Sequence, residues 1–582
     1  MKQITSYTLL AVLISLAIST ACGQQARDRG LRFEIVVPSS AQTAPVTGRA
    51  YVLLTRDRES KARAQRSFGH QPVSGRTGEP FFGVDFDRVP SGGVIVINDS
   101  AKGYPVAKLS DLPPGDYFAQ AVLNIYTEFH RADGHVIWAH MDQWEGQHFN
   151  WSPGNLLSET QAIHIAPDKP ATYRLELTQT ISPIEVPPDT RWVQRVKIQS
   201  QRLTEFWGRP IYLGATVLLP KGYWDEPDVL YPTVYLQGHF SLDPPFGFTT
   251  EPALESEDTR SERMRRGLEN GYEFYEAWNS VGFPRFIAVT LQHPTPYFDD
   301  SYLVNSANNG PYQDAITKEL IVELENRYRM VPKGYARLLT GGSTGGYEAL
   351  AAQVHQPDFY GGAWVFYPDP IDFRSLFQIN IYDDESAFRS PGFDWLAPER
   401  YAFRAADGQP LQSVRQLSQL HDALGSRGRS GEYLEAWEAA FGPVGPDGYP
   451  RPLWDRKTGR IDHEVATYWR DQGYDLRHYL QENWKRIGSK LVGKLHLFCG
   501  DMDNYYFNLP VYMLEAFLEG TNDPHYAGSF SYGRPMKGHG WHPMSNVDLL
   551  RRMANHLEKN RPAGEPAHPR ASAHRNPQAS AK

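Results

Sequence analysis

A serine stands among glycines at residues 341–345, which read Gly-Gly-Ser-Thr-Gly. This G-x-S-x-G pattern is typical of a sharp turn that joins a buried strand to a helix and holds the serine hydroxyl clear of the sheet. The apolar run 336–340 before the turn predicts the strand, and residues 347–354 after it predict the helix. This context favours Ser343 as a nucleophile over a glycine turn with a purely structural role.

A serine nucleophile needs a base, and a histidine near the end of the chain fits this role. His539 lies between two glycines, after a strand-like stretch at 529–532 and before the last predicted helix, at about 545–557. A lone histidine would more often be structural. This one, however, comes last in the order serine, acid, histidine, which is the order along the chain in α/β-hydrolases. We therefore predict His539 as the base and keep His542 as the alternative.

The base in turn needs a carboxylate that orients it. Asp503 follows the predicted strand 494–499 at a Gly-x-x-Asp spacing, and it is the predicted acid. Asp501 in the same loop is an alternative. Asp369, after a predicted strand that ends near residue 366, is another, since some hydrolases place the acid there. Any of these aspartates could instead cap a turn.

Ester chemistry of this kind also requires two backbone N–H groups that face the developing negative charge. The residue after the nucleophile, Thr344, is expected to supply one of them. The loop after the predicted strand 233–237 is expected to supply the other, from His239 or, as second choice, from Phe240.

Three stretches of the chain together resemble the putative esterase family. They are the run 308–320 (Asn-Asn-Gly-Pro-Tyr-Gln-Asp-Ala-Ile-Thr-Lys-Glu-Leu), the glycine–serine turn at 341–346, and Gly-His-Gly-Trp at 538–541. That family includes enterochelin esterases, feruloyl esterases, S-formylglutathione hydrolase and the mycolyl transferases of the antigen 85 type. The resemblance covers roughly residues 195–560 and implies an α/β-hydrolase fold with a Ser–His–Asp triad. It also implies acyl transfer from esters without a metal or cofactor. The substrate does not follow from it, because the family's substrates are diverse.

Alternating strand and helix patterns over residues 193–560 predict a mostly parallel sheet with flanking helices. Helical patterns occur at 261–279, 314–328, 347–356 and 510–518. The segment 374–486 breaks this rhythm. It is polar, aromatic and helical or irregular, so we expect an insertion that covers one end of the sheet.

The region 31–185 reads as β-structure, with short strand-like runs divided by Gly, Pro and Asp turns. The sequence from Leu112 to Tyr117 resembles the tyrosine corner of Ig-like sandwiches. We therefore predict an N-terminal Ig-like β-sandwich domain over residues 31–185, and some esterase relatives carry such a domain. A long loop at about 127–160 holds Trp138, Trp144, Glu145 and Trp151. It could form a binding surface, but a loop packed on its neighbour domain is the favoured interpretation.

Residues 1–22 are typical of an export signal, with Lys2, an apolar stretch from Leu9 and a small-residue cleavage site. Cys22 follows the cleavage site as in bacterial lipoproteins, although Ser19 stands where that signal prefers leucine. We expect a periplasmic or outer-membrane lipoprotein anchored through a lipidated Cys22, or alternatively a secreted protein. Residues 561–582 are low in complexity and are expected to be disordered.

The composition is that of a soluble globular protein, with 41% hydrophobic and 22% charged residues. The net charge of -8 gives no reason to expect nucleic-acid binding. The sequence therefore predicts a hydrolase for small-molecule esters, with no cofactor and no metal site, because histidines 239, 293, 539 and 542 show no compact ligand spacing. An acyltransferase, a peptidase or a degenerate hydrolase that only binds ligands remains an alternative. The oligomeric state does not follow from the sequence.

Overall fold

A computed structural model describes residues 30–39, 44–56, 78–141, 146–166, 169–252, 255–392 and 395–569. The chain divides into two compact units. Among the described residues, the first unit lies within 30–56, 79–123 and 156–180, and the second comprises residue 78 and lies otherwise within 124–155 and 181–569. The predicted export signal, Trp144, Glu145 and the last residues of the predicted tail, 570–582, lie outside the described residues.

The first unit is built on a nine-stranded sheet with the order β4-β1-β11-β9-β6-β2-β3-β5, to which β10 adds by pairing with β6. Its strands are β1 (Leu31–Val36), β2 (Val46–Thr55), β3 (Phe81–Val89), β4 (Val94–Ile97), β5 (Lys102–Tyr104), β6 (Gly115–Ile125), β9 (Leu156–Ser158), β10 (Gln161–Ile165) and β11 (Ala171–Thr180). The Tyr117 hydroxyl donates a hydrogen bond to the Pro113 carbonyl at 2.6 Å, as a tyrosine corner would. The Ig-like character of this unit stays a prediction.

The second unit contains an eight-stranded sheet with the order β12-β13-β15-β14-β18-β19-β22-β23. The first two pairings are antiparallel and the remaining five are parallel. Its strands are β12 (Val193–Ser200), β13 (Ile211–Leu218), β14 (Thr233–Gln237), β15 (Ile287–Gln292), β18 (Arg337–Ser343), β19 (Gly362–Pro368), β22 (Leu495–Gly500) and β23 (Ser529–Gly533). The predicted α/β-hydrolase-like fold is confirmed.

Helices connect these strands, as parallel pairing requires. They are α1 (Gln201–Trp207), α2 (Glu257–Arg266), α3 (Gly271–Trp278), α4 (Tyr312–Ala315), α5 (Ile321–Arg327), α6 (Thr344–His355), α7 (Val414–Leu424), α8 (Tyr433–Phe441), α9 (His463–Asp471), α10 (Leu476–Leu491), α11 (Asn508–Glu519) and α12 (Asn546–Asn560). A π-helical turn, Ile316–Leu320, joins α4 to α5. None of the described helices is long and apolar enough to cross a membrane.

Most of the predicted insertion lies between β19 and α10. It contains the short hairpin β20 (Tyr401–Arg404) and β21 (Pro410–Ser413) and the helices α7, α8 and α9. Its core is aromatic: Phe441 packs against Phe373 and Trp469 at ring-centroid distances of 5.7 and 5.4 Å. The insertion is therefore a packed part of the second unit.

Residues 124–155 belong to the second unit although they lie between strands of the first in sequence. They form the hairpin β7 (Thr127–His130) and β8 (Val136–Ala139). Phe129 packs on Trp207 of α1 at 5.1 Å. The buried Arg131 donates hydrogen bonds to the carbonyls of Gly448 and Ala307, each at 2.9 Å. This part of the predicted loop is thus packed and bonded within the hydrolase unit.

The predicted disordered tail begins with nine residues, 561–569, that the structure places on the second unit. The Glu565 carboxylate pairs with Lys333 and accepts a hydrogen bond from the Tyr335 hydroxyl. The Arg285 N–H donates to the carbonyl of Pro569 at 3.0 Å. These residues are therefore held by specific contacts.

Two further short hairpin strands, β16 (Asn305–Ser306) and β17 (Gly310–Pro311), precede α4.

Candidate active site

The serine turn lies where β18 ends and α6 begins. Ser343 has φ 57° and ψ −123°, a backbone conformation that residues other than glycine rarely adopt. Such strain persists only where the surrounding structure fixes it, and it is common at active sites. The Asp369 N–H donates to the Ser343 carbonyl at 3.1 Å and helps to fix the turn.

Two glycines allow this turn to lie against the neighbouring strand. A Cβ at Gly345 would lie 2.1 Å from the carbonyl oxygen of Gln237, at the end of β14. A Cβ at Gly341 would lie 2.2 Å from the carbonyl oxygen of Gly345. Both obstacles are backbone atoms and cannot rotate away, so only glycine fits at either position.

Ser343, His539 and Asp503 form a continuous hydrogen-bonded chain. The Ser343 Oγ lies 2.9 Å from His539 Nε2, and His539 Nδ1 lies 2.7 Å from Asp503 Oδ2. With Nδ1 bonded to a carboxylate, the neutral imidazole carries its proton on Nδ1 and leaves Nε2 to accept the serine proton. The structure thus brings together the three residues that the sequence predicts as nucleophile, base and acid.

The acid is held by its own loop. The Asp503 side chain is fully buried, and its Oδ1 accepts N–H groups from Tyr505 at 2.9 Å and from Phe507 at 3.2 Å. The Asn504 side chain accepts the His539 N–H at 2.8 Å. These bonds satisfy the buried carboxylate and fix the histidine loop beside it.

Two of the alternative residues have other partners. The Asp501 Oδ1 accepts the Lys537 N–H at 3.0 Å and so closes a turn between two loops. The His542 Nε2 lies 3.0 Å from the Tyr367 hydroxyl, and its ring packs on Phe366. The structure does not bring either side chain into the hydrogen-bonded chain of Ser343.

The third alternative, Asp369, does touch the serine. Its Oδ1 lies 3.2 Å from Ser343 Oγ, and its Oδ2 accepts from the Tyr302 hydroxyl at 2.9 Å, from Thr344 Oγ1 at 3.2 Å and from Trp437 Nε1 at 3.3 Å. Burial raises the pKa of this carboxyl. Asp369 is not bonded to His539, so it lies beside the nucleophile without orienting the base.

The two residues predicted for the oxyanion hole lie at the same cavity as Ser343. Thr344 is the first residue of α6, where backbone N–H groups are free of helical partners. His239 follows β14, and its Nδ1 lies 2.9 Å from Asp299 Oδ1 and 3.1 Å from Asp300 Oδ2. The carboxylates of Asp299 and Asp300 raise the pKa of His239, whose side chain is 53% exposed, well above its usual value. Phe240, the second choice, also lines the cavity.

The cavity above Ser343 has a volume of about 500 Å³. Its aromatic lining comes from five separate stretches of the second unit and comprises Trp151, Phe240, Phe298, Tyr433, Trp437, Tyr505 and Phe507. Glu432 lies among them, and burial raises its pKa to about 8, with a further contribution from Asp299. The lining includes no lysine or arginine among the described residues. Such a cavity suits the uncharged or cationic part of a small molecule better than an anionic part.

Sequence reasoning missed several lining residues. Glu432, Tyr433 and Trp437 lie in the insertion, where no motif points to them. His148 belongs to the loop 127–160 and Asp299 precedes the family-like run 308–320, so both lay near stretches that the sequence singled out. The adjacent pair Asp299-Asp300, shortly before the family-like run, was a further signal available in the sequence.

Comparison with known proteins identifies part of this unit. Residues 212–371 match the family model described as Putative esterase. No curated protein matches the chain. This match to a putative esterase domain confirms the resemblance predicted from the sequence, and the prediction of an esterase-type hydrolase is confirmed with it.

Three solved structures illustrate the likeness. A ferulic acid esterase is 13% identical, with the match covering 63% of this chain and 98% of that chain at a TM-score of 0.34. An S-formylglutathione hydrolase from Agrobacterium tumefaciens is 14% identical, with the same coverages and a TM-score of 0.32. The fluorophosphonate-binding serine hydrolase FphF from Staphylococcus aureus is 13% identical, again with the same coverages, at a TM-score of 0.30. The family match, rather than these distant likenesses, identifies the domain.

Proposed function

We propose that this protein hydrolyses carboxylic esters of small molecules through an acyl-enzyme formed on Ser343, with His539 as base and Asp503 as the orienting acid. The observation that carries the proposal is the unbroken hydrogen-bonded chain from Ser343 Oγ through both nitrogens of His539 to Asp503. The strained backbone at Ser343 and the esterase-family match of residues 212–371 support it.

In the first step, Ser343 Oγ attacks the ester carbonyl while His539 Nε2 takes its proton. The Asp503 carboxylate accepts the Nδ1–H and stabilises the imidazolium that forms. The backbone N–H groups of Thr344 and His239 are the proposed donors to the oxyanion. His539 then gives its proton to the leaving alcohol oxygen.

In the second step, a water molecule takes the place of the alcohol beside His539. His539 removes a proton from this water as the water oxygen attacks the acyl carbon. The tetrahedral intermediate collapses, the proton returns to Ser343 Oγ, and the carboxylic acid leaves. Asp369 Oδ1 lies 3.2 Å from the same Oγ, and burial favours the protonated form of its carboxyl.

The decisive experiment combines active-site labelling with hydrolysis of a generic ester such as p-nitrophenyl acetate. Replacing Ser343 by alanine should lower kcat/KM by about 10³-fold or more and abolish labelling by a fluorophosphonate probe. The matched control is Ser280→Ala, because Ser280 is an exposed serine at the end of α3. If Ser343→Ala kept full activity, or if the wild-type protein were never labelled, the protein would not be a serine hydrolase of this kind.

We also propose that the protein is exported, with a membrane anchor on Cys22 as the favoured form and secretion as the alternative. The support is the pattern of residues 1–22 in the sequence. Cell fractionation together with metabolic labelling by a fatty acid tests it, with Cys22→Ser as the comparison. Label that stays on the variant would exclude lipidation at this cysteine.

A further inference from the structure

A second cluster of chemically active side chains lies in the same cavity as Ser343. His239 Nδ1 is 2.9 Å from Asp299 Oδ1 and 3.1 Å from Asp300 Oδ2, and the ligand atoms of these three residues all lie within 4.8 Å of one another. His148, which follows the β7–β8 hairpin in the chain, lies with its Nε2 3.3 Å from Asp299 Oδ2. The chemistry of ester cleavage described above uses none of these four side chains.

We propose that His148, His239, Asp299 and Asp300 bind a divalent first-row metal ion, with Zn²⁺ as the best match. Two imidazole nitrogens and two carboxylate oxygens form a donor set that zinc favours. Zinc holds such donors at about 2.0–2.2 Å, so the donors of a tetrahedral site lie about 3.3–3.5 Å apart. The separations of 2.9 and 3.1 Å from His239 Nδ1 to the two carboxylates are close to that spacing, and His148 Nε2 lies 3.3 Å from the second oxygen of Asp299, from where it would complete the site.

A buried atom without a hydrogen-bond partner points independently to a ligand. The Asp300 side chain is fully buried, and its Oδ2 makes no hydrogen bond among the described residues, although it lies 3.1 Å from His239 Nδ1 as an ion-pair contact. A buried carboxylate oxygen in this state is costly unless a cation or a water molecule occupies the space. His148 Nε2 is also buried and without a hydrogen bond among the described residues, and it faces Asp299.

The charge of the cluster favours a cation over a water molecule. The ion pairs of Asp299 and Asp300 within the described part of the chain are with histidines and include no lysine or arginine. Behind them lies Glu348 of α6, whose two carboxylate oxygens are buried without hydrogen-bond partners among the described residues. Asp299 and Asp300 therefore pair only with imidazoles in the described part of the chain, and a divalent ion would supply positive charge that does not depend on protonation of those rings.

The ion would connect two loops that flank the nucleophile. His239 follows β14, and Asp299 and Asp300 lie in the loop after β15. Holding His239 by its side chain would fix its backbone N–H, which is the proposed second donor to the oxyanion. The binding site itself does not depend on the proposed esterase activity, whereas this positioning effect does. We therefore assign the ion a positioning role.

The test measures metal binding directly on the full-length protein. After treatment with EDTA and gel filtration, isothermal titration with ZnSO₄ should show about one equivalent bound. Asp300→Asn, which keeps the shape of the side chain, should weaken zinc binding by about tenfold or more. The matched control, Asp243→Asn, changes an exposed carboxylate in the loop that also holds His239, and it should bind zinc as the wild type does.

Two further variants make the outcome unambiguous. Ser343→Ala should bind zinc like the wild type, so loss of esterase activity and loss of metal binding are separable results. His148→Gln changes a side chain that is 12% exposed, and it should also weaken binding by about tenfold if Asp300→Asn does not fold. The proposal is overturned if the wild-type protein binds no zinc, or if folded variants at both His148 and Asp300 bind it with unchanged affinity.

Discussion

Arg404 donates its Nε–H to the backbone carbonyl of Asp503 at 2.9 Å, although the two residues are 99 positions apart in the chain. The same guanidinium donates to Asn508 Oδ1 at 3.0 Å and lies 4.3 Å from the ring centroid of Tyr506. Since Arg404 belongs to the insertion between β19 and α10, that segment holds the loop of the predicted acid. The insertion therefore contributes both to the lining of the cavity and to the position of Asp503.

Arg404→Met should lower kcat by about tenfold with little change in KM. Methionine keeps the apolar stem of the side chain but removes both hydrogen bonds to the acid loop, so Asp503 should orient His539 less well. Steady-state kinetics with a p-nitrophenyl ester measures the effect. Arg415→Met, a partly exposed arginine of α7, is the control and should leave both constants unchanged. An unchanged kcat in Arg404→Met would show that the loop holds its shape without the insertion.

The two aspartates of one loop should respond differently to the same substitution. Asp503→Asn should lower kcat by about 10³–10⁴-fold, because an amide neither stabilises the imidazolium nor selects the correct tautomer of His539. Asp501→Asn should retain activity to within a few fold, since Asp501 only closes a turn with Lys537. The rate at which a fluorophosphonate labels Ser343 should differ between the two variants in the same way, and this measurement does not require turnover of an ester. Equal losses in the two variants would contradict the assignment of the acid.

Much of the hydrolase unit could be predicted from the sequence because its signals are local. A strand, a glycine turn and a helix around Ser343 require particular residue types within a short window, and the observed β18 and α6 follow that pattern. The acid and base loops could be placed because each follows a strand with its own apolar run. The predicted helix over 261–279 is instead two helices, since Gly267 adopts a left-handed conformation that ends α2 and Asn270 caps α3.

The lining of the cavity could not be predicted, because it depends on distant segments meeting in space. Trp437, Asp369 and Tyr302 meet by hydrogen bonds although they come from three separate parts of the chain. No spacing rule in the sequence joins His148 to Asp299 either, although their side chains lie 3.3 Å apart. These relationships arise from packing of the insertion and the hairpin, and periodicity contains no information on them.

Gly345→Ala should destabilise the protein strongly or prevent its folding. The new Cβ would lie 2.1 Å from the Gln237 carbonyl, so either β14 or the serine turn would have to move. Overpacking against backbone atoms commonly costs about 1–3 kcal/mol or more, and thermal unfolding together with soluble yield measures it. Gly520→Ala is the control, since its nearest contact is 3.4 Å and its φ is −78°. A melting temperature of Gly345→Ala equal to that of the wild type would show that the turn tolerates a side chain.

His496 on β22 should make the free energy of unfolding depend on pH. Burial, with a smaller contribution from His556, lowers the pKa of His496 from 6.5 to about 4, while its Nδ1 bonds to Ser529 Oγ at 2.9 Å. As the pH falls from 6.5 to 4, the unfolded chain therefore binds a proton at this residue that the folded protein does not bind. The free energy of unfolding falls by up to about 3 kcal/mol as a result. In His496→Asn, the amide oxygen replaces Nδ1 as an acceptor and does not titrate. This contribution to the pH dependence of the free energy of unfolding should therefore disappear. Urea unfolding at several pH values between 7 and 4 measures it, with His130→Asn as the control because that side chain is 68% exposed. Parallel curves for the wild type and His496→Asn would contradict the prediction.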